Sequence, residues 1–206
     1  MRVAIVGGTG PFGKALARRL RKAGYDVVLG SRDRMRAAEA ADELGVKGAT
    51  NLEAVDSADL VVLATKADAA VATAGELRTA IGSTPVLSVA SELAFTPSGV
   101  LPRPDASSLA EMIQATLDAP VAAGLHSLAA SNLGAEHEPD EDALVCGDDP
   151  DAKALALELA AQVTSGRALD VGPLASARTL EGLTAVIVNL NKRYRGHAGV
   201  RITGLG

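Results

Sequence analysis

The chain has 206 residues, 48 % of them hydrophobic, and a formal net charge of −5. That length fits one domain, or one domain with a small appendage, and the apolar share is enough for a sizeable core. Aromatics make up only 2 %, with no Trp, on an acidic chain, which argues against stacking on single-stranded bases and against generic nucleic-acid binding.

No apolar stretch approaches the roughly 20 residues of a membrane span. The first residues run into a strand pattern rather than a signal peptide, so a soluble, cytoplasmic protein is the expectation. Cys146 is the one cysteine, so no intramolecular disulfide forms. In the run Ala143-Leu144-Val145-Cys146 it reads as a small buried hydrophobe.

The chain opens on an apolar strand, Arg2 to Val6, that leads into Gly7-Gly8-Thr9-Gly10-Pro11-Phe12-Gly13. Glycines 8, 10 and 13 have the spacing G-x-G-x-x-G, and an amphipathic helix follows from Lys14 to Ala23. Strand, tight turn and helix come in the order a dinucleotide site requires, with a purely structural Gly-rich turn as the alternative. Gly8 is expected to make the turn, Gly10 to let the backbone approach a pyrophosphate, and Gly13 to bring helix and strand close. Pro11 suits the first helical position. The amides at the helix start face the phosphates.

A second strand is expected over Asp26–Gly30, then a helix from Met35 to Leu44 closed by Gly45. A short strand near Val46–Ala49 precedes Thr50-Asn51-Leu52-Glu53, a T-x-x-E capping box opening a short helix. Asp59 to Ala64 reads as a strand covered on both faces, Lys66 to Ile81 as an Ala-rich helix, and Pro85 to Val89 as a further strand. Alternating strands and helices give a Rossmann-type, doubly wound α/β fold with a mainly parallel sheet and a small helical C-terminal extension.

Beyond this, Phe95 to Asp105 carries three prolines and a glycine and is expected to be an irregular loop. Ser108-Leu109-Ala110-Glu111 is a second capping box, leading a helix to about Leu117. Pro120 to Leu125 reads as a strand with His126 just past it. Glu136 to Asp151 holds eight acids and no Lys or Arg, so the apolar run to Cys146 is expected as a strand between solvated acidic turns. Asp149-Pro150 caps a helix to about Val163, and Leu169 to Val171 forms a last short strand.

The final helix is expected from near Pro173. Leu180, Leu183, Ile187, Leu190 and Tyr194 make one apolar stripe on it. The stripe packs on the sheet or on a second subunit; we take it as the mark of a homodimer. The division expected is 1–125 for the dinucleotide-binding domain and 126–206 for a smaller part that completes the site.

Which dinucleotide is read at the end of the second strand. An NAD site places a carboxylate there; this chain has Gly30-Ser31-Arg32. A hydroxyl and a guanidinium bind a 2′-phosphate that a carboxylate would repel. Arg34 and Arg36 add charge at a helix start, where cations oppose the helix dipole and call for a compensating anion. NADP(H) is therefore expected over NAD(H).

The residues named so far, together with Leu125-His126, Val145-Cys146-Gly147-Asp148-Asp149, Asp170-Val171-Gly172-Pro173-Leu174 and Leu180-Glu181-Gly182-Leu183-Thr184 with Asn189, give the chain a resemblance to the NADPH-dependent F420 reductases. The resemblance covers nearly the whole length and is weakest between Lys66 and Asp118. It implies reversible hydride transfer between NADP(H) and the deazaflavin coenzyme F420. By position, it implies that Thr9, Gly10, Pro11 and Phe12 contact the pyrophosphate and that Ser31, Arg32 and Arg36 hold the 2′-phosphate, with Gly8 also among the cofactor-binding residues. Thr65, Ala67 and Val71 would line the ribose and nicotinamide side, with Ala130 near the nicotinamide. His126, Ser127 and Leu128 would lie beside the deazaflavin ring. The chain departs from similar enzymes at Lys66-Ala67, where they often carry a Pro-aromatic pair, and at Val89-Ala90-Ser91, where they have a Pro-rich strand end.

The residues themselves agree with hydride chemistry. No Ser-His-Asp set and no Cys/His cluster with metal spacing is present, and hydride transfer between two bound rings needs neither. His126 is the one candidate for catalytic polar help, or else a satisfied strand-end histidine. Arg193, Arg195 and Arg201 are candidate contacts for the anionic F420 tail, or else a solvated cationic helix end. An NADP-dependent reductase of another small acceptor, an imine or a flavin, and a non-enzymatic NADP(H)-sensing module are the alternatives.

Overall fold

The computed structural model describes residues 1–103 and 107–205. Its centre is an eight-stranded sheet in the order β10-β9-β8-β5-β4-β1-β2-β3. The strands are β1 (Arg2–Val6), β2 (Asp26–Ser31), β3 (Lys47–Thr50), β4 (Leu60–Leu63), β5 (Val86–Ser88), β8 (Val121–Gly124), β9 (Ala143–Gly147) and β10 (Ala168–Asp170). The six strands from β3 to β8 pair in parallel, β9 runs antiparallel to β8, and β10 runs parallel to β9. The segment after residue 125 thus contributes two strands to the same sheet as well as helices.

Strand side chains alternate between two apolar layers, as the pleat requires. Val3, Ile5, Leu60 and Val62 face one layer with α1 (Pro11–Lys22), α2 (Arg34–Leu44), α6 (Ala130–Leu133) and α7 (Pro150–Ala161). Ala4, Val6, Val61 and Leu63 face the other with α3 (Asn51–Val55), α4 (Ala67–Ile81), α5 (Leu109–Thr116) and α8 (Ala177–Tyr194). The small side chains let helices sit close to the sheet without aromatics: the main chain of α2 lies so near β3 that a Cβ on Gly48 would come within 2.5 Å of Ala37 O.

Local chemistry sets the helix ends. Thr50 and Ser108 both close capping boxes, with Glu53 and Glu111, and Asp149 accepts from the Ala152 amide. Gly45 ends α2 in the left-handed region.

Two expectations are corrected. Phe95–Pro102 is not irregular: β6 (Leu93–Thr96) and β7 (Gly99–Pro102) form an antiparallel hairpin with Pro97-Ser98 at its tip. Pro97 sits at the turn and Pro102 at the strand end, where a missing amide does no harm. Asn189 of α8 pairs with this hairpin as a strand would, accepting from Val100 N (2.8 Å) and donating to Val100 O (2.7 Å). Asp105, the end of the expected loop, lies outside the described residues.

The acidic stretch around β9 is solvated only in part: Glu136, Glu138, Asp140 and Asp148 are exposed as expected, but Glu141 and Asp142 are buried. Asp142 is fully buried, accepts from Arg167 Nη2 (2.7 Å), Arg167 N and Ile202 N, and its carboxyl is held far below the usual range by that guanidinium. Cys146 behaves as expected: it is buried, and burial pushes its thiol up to about 12.

Candidate functional site at the carboxyl ends of the strands

Sheet order reverses between β1 and β4: β1 leads to β2 on one side, while β4, β5 and β8 run off on the other. A crevice at such a switch point, beyond the carboxyl ends of parallel strands, is where open α/β sheets bind ligands. The Gly-rich turn closes one wall of it. Within the turn, Gly7 takes the left-handed conformation (φ 72°). A Cβ on Gly7 would also come within 2.8 Å of Thr65 Cγ2, so the β1–α1 and β4–α4 turns lie against one another.

Gly8 is required by crowding. Its amide donates to Ile5 O and Gly30 O, and a Cβ would stand 2.5 Å from Leu29 Cδ2. A Cβ on Gly13 would reach 2.6 Å from Gly8 Cα, which is the close helix–strand approach expected of it. Gly10 differs: a Cβ there would meet only Gly7 O, at 3.7 Å. Its bareness opens space rather than relieving a clash inside the protein.

That opening lies over the start of α1. Gly10 caps the helix without a side-chain hydrogen bond, Pro11 occupies the first turn, and no acid stands there. The first amide to bond within the helix is Lys14 N, to Gly10 O (2.9 Å). The amides of Phe12 and Gly13 are therefore left for an external acceptor. Phe12 itself packs against the core beneath.

At the end of β2, Ser31 is buried and its Oγ accepts from Asp33 N (3.2 Å). Asp33 caps α2, accepting from Met35 N and Arg36 N. Arg34 pairs with Glu53, and Arg36 lies 3.8 Å from Asp33. Part of the anionic compensation expected for these arginines thus comes from the chain itself. Arg32 is exposed and, among the described residues, has no ion-pair or hydrogen-bond partner.

Asn51, which the motif reading passed over, links the two turns. Its Oδ1 accepts from Gly7 N (3.4 Å) and fills the place where a Cβ on Gly30 would be. The one available signal was its position right after the Thr50 cap.

The other wall is built from β4, β5, β8 and α8. Thr65 Oγ1, Ser88 Oγ and His126 Nδ1 are buried without a partner, and they sit at the ends of three neighbouring strands. Ala67 and Val71 of α4 are half-buried and pack against the apolar layer. His126 is 5 % exposed, and burial lowers its pKa to about 4. The imidazole is thus neutral at pH 7. Its Nε2 lies 3.2 Å from Ala90 O, which only accepts, so the proton is on Nε2 and Nδ1 keeps a free lone pair. Leu125, just before it, is held in the left-handed region (φ 65°), which turns the chain out of β8.

Thr184 of α8 fastens this wall. Its hydroxyl donates to His126 O (3.0 Å) and accepts from Ser91 Oγ (2.9 Å). Ser127 and Leu128 are both buried; Ser127 Oγ donates to Asp142 O (2.9 Å), and Leu128 lies in the layer beneath α1. Ala130 begins α6. Of the tail cations, Arg201 is bound to both oxygens of Asp140 (2.6 and 2.7 Å), while Arg193 and Arg195 at the end of α8 are exposed. Among the described residues no group of three or more His, Cys, Asp or Glu could hold a metal, and no helix is long and apolar enough to cross a membrane.

Comparison with known proteins agrees with this architecture. The family described as NADP oxidoreductase coenzyme F420-dependent matches residues 2–92. The chain is 36 % identical to the F420-dependent NADP reductase of Methanothermobacter marburgensis, covering 100 % of this chain and 99 % of that protein. It is 33 % identical to the protein of that name from Methanocaldococcus jannaschii, again over 100 % of this chain and 99 % of the relative. The crystal structure of a putative F420-dependent NADP-reductase from Arthrobacter sp. FB24 superimposes with a TM-score of 0.87 at 25 % identity, covering 99 % of this chain and 100 % of that one. With full-length relatives 33 and 36 % identical to it, the chain belongs to the F420-dependent NADP reductase family.

Proposed function

We propose that this protein catalyses reversible hydride transfer between NADP(H) and coenzyme F420, with residues 1–125 binding NADP(H) and residues 126–206 completing the F420 side. The observation that carries the reading is the crevice itself. On one side stands an uncapped helix start beneath a bare Gly10, with unpaired Arg32 one strand away. On the other stands a row of buried polar atoms without protein partners. Buried polar groups are nearly always satisfied, so three at adjacent strand ends suit a ligand rich in hydrogen-bonding groups.

The two ring systems supply the hydride chemistry when bound; the chain binds, orients and excludes water. The amides of Phe12 and Gly13 take the pyrophosphate, and Ser31, Arg32 and Arg36 the 2′-phosphate. Thr65, Ala67, Val71 and Ala130 line the nicotinamide side. His126 offers Nδ1 as an acceptor to a ring N–H, in a tautomer set by Ala90 O. The Thr184 hydroxyl holds His126 and Ser91 in one arrangement. Mixing the protein with NADPH and F420 in a stopped-flow instrument, and with FMN in parallel, tests the reading. Loss of deazaflavin absorbance with F420 alone is expected. Turnover with FMN and none with F420 overturns it.

The same reading makes the protein a cytoplasmic homodimer. The stripe on α8 starts buried at Leu180 and ends exposed at Leu190 (41 %) and Tyr194 (72 %), with exposed Val186, Phe95 and Leu101 nearby in the fold. Sedimentation is expected to give twice the chain mass; a monomer mass independent of concentration refutes the dimer.

A further inference from the structure

Arg19 lies in the second half of α1, well below the helix start, and is 4 % exposed. Charged groups this deeply buried are ordinarily paired. Among the described residues no carboxylate pairs with Arg19. Its guanidinium is spent on main-chain carbonyls of one short segment instead. Nε donates to Leu133 O (2.8 Å), Nη2 to Ala135 O (2.6 Å) and to His137 O, and Nη1 makes a longer contact with Glu136 O (3.5 Å). Its neighbour Arg18 reaches Gly134 O at 3.4 Å.

Those carbonyls belong to a loop that begins and ends at one place. Ser127 Oγ donates to Asp142 O (2.9 Å), which ties the two ends together. Compact loops with joined ends of this kind hold their shape through internal packing. This one adds the Asn132–Glu141 contact and Thr164, whose hydroxyl lies between Pro139 O and Glu141 O. It also carries Ser127, Leu128 and Ala130, and it leaves β8 through His126. The helix that offers its amides to the pyrophosphate and the loop that carries the acceptor side therefore meet at one buried guanidinium.

We propose that Arg19 is a positioning residue for the hydride-transfer reaction. It locks the 127–142 loop to the pyrophosphate helix, so that gripping NADP(H) at the start of α1 fixes the distance between donor and acceptor rings. The proposal rests on the F420 reading above. Only a planar fork of five donors can span carbonyls fanned out in this way; a lysine ammonium is a point charge that reaches one or two of them.

The test is R19K, with R19M as the harsher variant, in the full chain. Hydrogen exchange of residues 127–142 is expected to rise about tenfold in R19K while the strands stay protected. NADPH affinity is expected to hold within about twofold, because the phosphate contacts are untouched, while the single-turnover rate to F420 falls by roughly 10- to 100-fold. The primary isotope effect with 4-deuterated NADPH should become more dependent on temperature, as a looser donor–acceptor distance demands.

A loosened loop with unchanged rate and isotope effect overturns the proposal. So does a loss of NADPH binding in step with the rate, which would make Arg19 a support of the whole fold. Failure of the F420 reading is separable, since it shows as no turnover in the unsubstituted protein. In that case NADPH-induced protection of residues 127–142, present in the parent chain and lost in R19K, still supports the lock, and equal protection in both defeats it.

Discussion

The two walls of the crevice are made in opposite ways. The wall proposed for NADP is local: its turn, helix start and the arginines proposed for the 2′-phosphate fall within residues 7–36, and much of its precision comes from glycines. The acceptor wall is assembled from afar. Ala90, Ser91, His126, Asp142 and Thr184 meet through hydrogen bonds that span 15 to 93 residues. A local wall can be read from spacing; an assembled wall depends on packing that no spacing reveals. The difference also separates what each mutation should do.

The largest effect is expected at Gly13. An Ala Cβ would stand 2.6 Å from Gly8 Cα, main chain that cannot swing aside. Overpacking there costs about 1–3 kcal/mol or more, so G13A should lower the melting temperature by several degrees and lose NADPH binding together with it. G10A breaks the comparison cleanly, because its Cβ meets no protein atom nearer than 3.7 Å. We expect an unchanged melting temperature in the free protein and an NADPH affinity about 100-fold weaker, near 3 kcal/mol, measured by fluorescence titration. Normal binding in G10A would mean that the pyrophosphate does not cross Gly10.

R32E comes next. Charge-assisted hydrogen bonds are each worth about 1.5–3 kcal/mol, so NADPH should bind roughly 10- to 100-fold more weakly and NADH about as before. Equal loss for both nucleotides would remove Arg32 from the 2′-phosphate site. Arg36, already 3.8 Å from Asp33, should give a smaller effect on substitution.

The local elements of the proposed NADP wall were legible in the sequence. The strand–turn–helix order, the missing carboxylate after β2 and the capping boxes at Thr50 and Ser108 are short-range chemistry, and the structure places each where its spacing predicts. Even there, the left-handed conformation of Gly7 and the crowding of Gly7 by Thr65 and of Gly8 by Leu29 were not legible, because they depend on residues distant in the chain. The β6–β7 hairpin was misread because proline content was weighed without proline position. Asp142 was misread because charge in sequence says nothing of a guanidinium 25 residues away. His126 was visible as a residue past a strand, but its tautomer and its tie to α8 are tertiary facts.

The assembled wall predicts smaller, graded effects. T184V removes the hydroxyl shared by His126 O and Ser91 Oγ and leaves both without that partner. Stranding such groups costs about 1–3 kcal/mol, part of it recovered by repacking. We expect the KM for F420 to rise about 3- to 10-fold with NADPH affinity unchanged, and T184S to restore most of it. A change confined to NADPH would move Thr184 to the other wall.

The smallest effect is a change of slope with pH. Glu181 of α8 is buried, accepts from Leu109 N (2.8 Å) at the start of α5, and faces Glu92, which pairs with Arg103. Burial raises its pKa from 4.5 to about 7. The native state therefore holds this proton more tightly than the unfolded chain, and its stabilising contribution is full below pH 4.5 and lost as pH rises to about 7. His126 has the opposite sign. Its pKa falls from 6.5 to about 4, so its contribution is full above pH 6.5 and lost as pH falls toward 4. Between pH 4.5 and 6.5 the two slopes oppose and largely mask one another. Gln at position 181 can still accept from Leu109 N but cannot titrate, so E181Q should unmask the histidine, giving a melting temperature that climbs from pH 4.5 to 6.5 and exceeds that of the parent at pH 8. A melting profile in E181Q that stays flat across this interval would show that His126 is already solvated, and with that the dry acceptor wall would be gone.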